Sequence, residues 1–117
     1  MNLLLKIIIS SLAVFLTAYL LPGVSVDTYI TAIWVAIVLA LLNGFLKPIL
    51  ILLTIPVTLI TLGLFLLAIN AAIILLADYF VDGFGVNGFW WALLFSLVLS
   101  LVTSLMESLG GKAEKKD

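Results

Sequence analysis

Polar and ionisable side chains are scarce in this sequence, so each one that interrupts an apolar run is a candidate for chemistry. Five stand out: Asn43, Lys47, Asn70, Asp78 and Glu107. Asn70 falls near the middle of an apolar stretch. An amide in hydrocarbon needs a partner on another helix, and such bonds contribute roughly 0.6–2 kcal/mol. Asn70 therefore reads as helix-to-helix glue, with a pore-lining or oligomer-contact role as the alternative. Asp78 lies inside the end of the same stretch. An ionisable group in a membrane helix is a functional candidate by default, and its place near the end also lets it reach water. Asn43 precedes Lys47 by one helical turn in Asn43-Gly44-Phe45-Leu46-Lys47-Pro48. This reads as a boundary at which the lysine stem stretches toward the headgroups; the sharper reading pairs Lys47 with Glu107.

The inventory excludes most catalysis. The chain has neither His nor Cys, which removes the commonest general base near neutral pH and the thiolate nucleophile. Ser10, Ser11, Ser96, Ser100 and Ser104 lie along apolar runs, where serine serves close packing and backbone hydrogen bonding. No zinc-protease, nucleophile-elbow or phosphate-loop pattern occurs. The expectation is a protein that is not an enzyme, with no metal, no cofactor and no identifiable small-molecule substrate. A net charge of −1 gives nucleic-acid binding no electrostatic support.

The elements that position these residues must be membrane helices. The chain of 117 residues is 66% hydrophobic and 9% charged, with a mean hydropathy of +1.46. Soluble domains are about 45–50% apolar and about 25% charged. Four apolar segments, at about 3–21, 30–46, 62–80 and 88–106, are almost free of charge. The first would span roughly 28 Å as a helix, against a hydrocarbon core of about 30 Å. All four must be helical, because a lipid-exposed strand edge leaves backbone groups unpaired. The length of the first segment and the lack of a small-residue cleavage motif favour a retained helix over a signal peptide. Residues 1–109 thus form a single transmembrane domain, and 110–117 reads as a disordered cytoplasmic tail.

Two punctuated loops, Pro22–Thr28 and Asp82–Asn87, join the first to the second and the third to the fourth segment. They reveal an internal repeat with an offset of sixty: Tyr19 aligns with Tyr79, Gly23 with Gly83, Val26 with Val86, Ala32 with Ala92 and Lys47 with Glu107. The fold class is an all-α membrane protein of four transmembrane helices, arranged as two repeated helical hairpins. All five Lys fall on one side if each segment crosses once, so that side is cytoplasmic and both termini are inside. Asp27, Asp78 and Asp82 sit at the opposite end. So do all three Tyr and all three Trp (Tyr19, Tyr29, Trp34, Tyr79, Trp90 and Trp91), an aromatic belt that anchors the outer interface or offers a docking surface.

The apolar connection 48–61 is the odd element, because a helix of its length reaches only about 21 Å. One further crossing would put the lysine-rich tail outside. The favoured reading is a short re-entrant or interfacial segment, with Pro48, Pro56 and Gly63 as hinge positions. The competing reading extends the second helix to about Leu53 and starts the third near Pro56. Thr54, Thr58 and Thr61 share one helical face.

The strings Asn43-Gly44-Phe45-Leu46-Lys47-Pro48, Leu53-Thr54-Ile55-Pro56-Val57-Thr58-Leu59-Ile60-Thr61-Leu62-Gly63 and Gly83-Phe84-Gly85-Val86-Asn87-Gly88-Phe89-Trp90 resemble the four-transmembrane phage-holin-like superfamily, also called mycobacterial four-helix phage holin superfamily IV. The resemblance implies four transmembrane helices in a bacterial plasma membrane; it does not by itself imply lysis. Two functions follow as expectations. One is holin-like: copies self-associate through small and polar residues and open a lesion. The other is a structural or regulatory envelope protein without a pore, favoured because no helix shows a continuous polar face to line a channel. A small transporter lacks the midplane acidic residue that ion coupling uses.

Overall fold

Helix boundaries follow from local capping chemistry. A computed structural model describes the backbone of residues 2–115 and the side chains of residues 2–109. Asn2 caps α1 (Leu3–Leu20) by accepting the Leu5 N–H at 2.8 Å. Thr28 caps α2 (Tyr29–Leu41) by accepting the Thr31 N–H at 3.2 Å. Both side chains satisfy donors that have no partner within the first turn of a helix.

The first difference from expectation follows α2. The chain winds without a break through a π-helical turn, Leu42–Leu46, into α3 (Lys47–Leu53). The Lys47 N–H donates to the Leu42 carbonyl, five residues back. Pro48 has no N–H and its ring crowds the carbonyl four residues earlier; widening the turn just before it lets the helix continue. The connection 48–61 is therefore not one re-entrant or interfacial unit. Its first half extends the second helix into a run of 25 residues, Tyr29–Leu53, as the competing reading has it. The run stops at Thr54, one residue before the helix-disfavoured position that precedes Pro56.

Pro56 instead sits in the first turn of a short separate helix, α4 (Ile55–Ile60). A Schellman-type closure ends α4. The Leu62 N–H donates to the Leu59 carbonyl at 3.2 Å and the Gly63 N–H to the Thr58 carbonyl at 2.8 Å. Leu62 has φ 56° and Gly63 φ 89°. Threonine hydroxyls satisfy local carbonyls in this apolar corner: Thr54 Oγ1 donates to the Leu50 carbonyl at 2.7 Å and Thr61 Oγ1 to that of Val57 at 2.9 Å.

The chain then forms α5 (Phe65–Phe80), β2 (Phe84–Val86) and α6 (Phe89–Lys115). The α6 backbone runs through most of the segment expected as a disordered tail. Residues 116–117, and side chains beyond 109, lie outside the described residues. Among the described residues, three helices are long and apolar enough to cross a membrane: Leu3–Leu20, Tyr29–Leu53 and Phe89–Leu109. Phe65–Phe80 is a shorter apolar helix.

The two connections expected as loops also differ from expectation, because they pair. β1 (Val24–Val26) and β2 form an antiparallel ribbon with Val24 opposite Val86, Ser25 opposite Gly85 and Val26 opposite Phe84. The register places Ser25 against the residue sixty positions later. Flanking bonds follow the same relation: the Asp27 N–H donates to the Gly83 carbonyl and the Asn87 N–H to the Gly23 carbonyl, each at 2.9 Å. Pairing satisfies backbone groups that would otherwise need water at the bundle's end.

The core lies beneath this ribbon. Val24, Phe84 and Val86 are buried with Val35, Val81 and Phe95, and the Phe84 and Phe95 rings sit 5.6 Å apart. Ala13, Ala32, Ala71, Ala77 and Ala92 are all fully buried. Small residues at these points let helices approach closely, which is how membrane helices gain packing energy without a hydrophobic driving force between them. At the opposite end, the π turn, α3 and α4 contribute no fully buried residue.

Candidate functional site

The end remote from the ribbon opens into a crevice of about 600 Å³ between α1, the α2–π-turn segment and α6. Its apolar wall includes Leu3, Ile7, Val14, Leu39 and Leu99. Its polar wall is Ser10, Asn43, Ser100, Thr103 and Ser104, together with Lys6 and Glu107. Ligand pockets typically measure about 300–1,000 Å³ and combine an apolar lining with a few convergent polar groups.

Each wall follows from helical periodicity. On α6, Ser96, Ser100, Thr103, Ser104 and Glu107 recur at intervals of four, three, one and three, which stacks them on one face. Ser96, nearest the ribbon, is buried and donates to the Leu93 carbonyl at 2.8 Å. The rest of the stripe faces the crevice. This corrects the expectation that no helix carries a continuous polar face. On α1, Lys6, Ser10 and Val14 succeed one another at one-turn intervals along the opposite wall.

The crevice breaks the sixty-residue relation that the ribbon obeys. Leu39 and Leu99, Ala40 and Ser100, Asn43 and Thr103, and Gly44 and Ser104 are pairs with that offset, and all eight line it. Lys6 and Ser10 line it as well, whereas their counterparts Leu66 and Asn70 do not. Leu66 packs against the core, on the side where α3 contacts α5.

Of the five residues singled out in the sequence, the crevice gathers two, Asn43 and Glu107. Lys47 is half-buried at the start of α3 and does not line it; Glu107 shares the cavity with Lys6 instead. Asn70 is half-buried on α5, away from the crevice. Asp78 belongs to the ribbon end, where its Oδ2 accepts the Val86 N–H at 3.1 Å. Of the hinge positions, Pro48 follows the π turn, Pro56 lies within the first turn of α4 and Gly63 closes the turn into α5. Sequence reasoning missed Lys6 as a site residue. It also took the α6 hydroxyls one by one, although their spacing on one face was there to be read.

The sequence profile of the family described as Mycobacterial 4 TMS phage holin, superfamily IV, matches residues 1–105. An uncharacterized protein of Streptomyces coelicolor is 37% identical over 112 residues, covering 87% of this chain and 90% of its own. The uncharacterized membrane protein YvlD of Bacillus subtilis is 33% identical over 103 residues, covering 87% of each. No solved structure matches this chain.

Proposed function

This chain belongs to the mycobacterial four-transmembrane phage holin superfamily IV, and within it we propose a non-catalytic multi-pass protein of the bacterial plasma membrane, closed as a single copy, that acts through the crevice at its cytoplasmic end. One observation carries this reading: polar groups converge at the lysine end, while the ribbon end is filled by buried Val24, Phe84, Val86 and Phe95. A polar crevice that ends on a dry core gives ions no path through one copy. The lysines set the direction. Lys6 lines the crevice, and neither Pro22–Thr28 nor Asp82–Asn87 carries Lys or Arg, so the charge rule favours a cytoplasmic crevice end. Four crossings as two hairpins are part of the reading, with the shorter α5 as the third. So is an interfacial place for α4, whose Leu59 and Ile60 are exposed.

A holin-type lesion is the second reading, and the α6 stripe favours it. Ser100 and Ser104 are exposed in one copy, and an assembly of many copies would have a hydroxyl-lined face to turn toward water.

Inducible expression in a bacterium separates the two, following membrane potential and culture density with and without a cytoplasmic endolysin. Steady growth with intact potential, at verified membrane levels, is expected. Abrupt depolarisation followed by endolysin-dependent lysis would overturn the single-copy reading and favour the lesion. Reporter fusions after Asp82 and after Asp117 should report periplasm and cytoplasm respectively; a periplasmic tail would sink the orientation.

A further inference from the structure

The crevice has the chemistry of a receptor for one kind of headgroup. Lys6 brings an ammonium and Glu107 a carboxylate to the same cavity, with hydroxyls of Ser10, Ser100 and Ser104 between them. Among the described residues these two side chains form no ion pair with each other or with any other group. Two opposite charges that share a cavity without pairing suit a ligand that itself carries both signs.

We propose that the crevice binds a zwitterionic phospholipid of the cytoplasmic leaflet, one with a phosphate and a primary ammonium in its headgroup, as in phosphatidylethanolamine. The phosphate of such a lipid meets the Lys6 ammonium, and its own ammonium meets the Glu107 carboxylate. The serine hydroxyls donate to phosphate oxygens, and bonds between such donors and an ionised acceptor are about twice as strong as neutral ones. Leu3, Ile7 and Leu39 on the apolar wall accept the upper part of an acyl chain. A purely anionic headgroup would satisfy Lys6 and meet the Glu107 carboxylate as a like charge. Basic pockets between membrane helices select anionic lipids; a pocket with one charge of each sign selects against them. The inference rests on the crevice being the operating site and on its cytoplasmic orientation.

The test is native mass spectrometry of the full chain released from mixed micelles containing phosphatidylethanolamine and phosphatidylglycerol in equal amounts, with O-phosphoethanolamine added in a parallel arm. Wild type should retain phosphatidylethanolamine over phosphatidylglycerol by about tenfold, worth about 1.4 kcal/mol of selectivity. Glu107→Gln should abolish the preference by admitting phosphatidylglycerol, and Lys6→Gln should lower retention of both lipids. Leu53→Ala, at an exposed position outside the crevice, should change neither. Equal retention by the wild type overturns the proposal without reference to any variant, as do dimers in place of lipid adducts, since a second copy would then fill the crevice. Displacement of the lipid by O-phosphoethanolamine at equal concentration would overturn the bilayer as its source. Selective retention by a chain that depolarises cells would sink the single-copy reading and leave the lipid site standing. Intact potential without retention sinks the lipid site alone.

Discussion

The ribbon end and the lysine end of this bundle are built from the same apolar helices and solve opposite problems. At the ribbon end, positions sixty apart meet in register: Ser25 faces Gly85, and the Asp27 and Asn87 amides donate to the Gly83 and Gly23 carbonyls. Aromatic and β-branched side chains fill the space beneath. At the lysine end that relation holds between the second helix and α6 but fails between α1 and α5, since Lys6 and Ser10 line the crevice and Leu66 and Asn70 do not. The run from α2 into α3 carries Pro48 and the π turn that accommodates it, whereas the equivalent stretch of α6, with Ser108 in place of Pro48, runs on as ordinary helix. α3 contacts α5, and the space left between α1, α2 and α6 is the crevice. The difference teaches that the π turn ahead of Pro48 has no counterpart in α6, and that the end with this asymmetry is the one that holds the crevice. The unequal end holds the polar groups.

One of the two largest effects that test this contrast comes from a pair of glycine substitutions. A Cβ on Gly23 would overlap the Trp91 indole, whereas one on Gly44 meets nothing within 4 Å. Gly23→Ala should cost about 2–3 kcal/mol by overpacking, and Gly44→Ala should be neutral or stabilise by up to about 1 kcal/mol because glycine is a poor helix former. Chemical unfolding in micelles measures both, and equal costs would break the distinction between a tight and an open end. Phe95→Ala, at a residue with no exposure, should destabilise by ~3 kcal/mol in the same assay. Leu105→Ala on the exposed face of the same helix should cost less than about 0.5 kcal/mol. Asp78→Ala removes the acceptor of the Val86 N–H, at a cost of about 1–2 kcal/mol. Hydrogen exchange should show it as faster exchange at Val86, with little change at the lysine end; uniform acceleration would mean that Asp78 supports more than the ribbon.

A last substitution should stabilise the chain. Leu62 holds a left-handed φ of 56° with its side chain 92% exposed. Leu62→Gly should therefore stabilise by up to about 1 kcal/mol, since glycine adopts that conformation without a Cβ penalty. A loss of stability would show that the side chain is anchored by contacts outside this chain.

Composition alone determined that this is a bundle of membrane helices. With 66% apolar residues and 9% charged, lipid is the solvent that fits; there only helices and closed barrels satisfy the backbone, and long uninterrupted apolar runs are the mark of helices. Residue types at rare positions fixed nearly as much. Glycines and aromatic residues recurring at one offset led to the reading of two hairpins, and the proline and glycine positions bracketed the irregular connection. Asn43 and Glu107 were legible as candidates because polar atoms in an apolar run need a reason to be there, and both line the crevice. The pairing of Pro22–Thr28 with Asp82–Asn87 was not legible, since three-residue strands have no periodicity to read and their partner lies sixty residues away. Nor could the sequence choose between two fates for Pro48: an interrupted helix and a π turn present the same residues, and the packing of α3 against α5 decides which one occurs. Tertiary structure alone decided that Glu107 shares a cavity with Lys6 and not with Lys47. Offset in sequence gives the level of a side chain along a bundle, but only the rotation and splay of the helices determine which neighbours it faces.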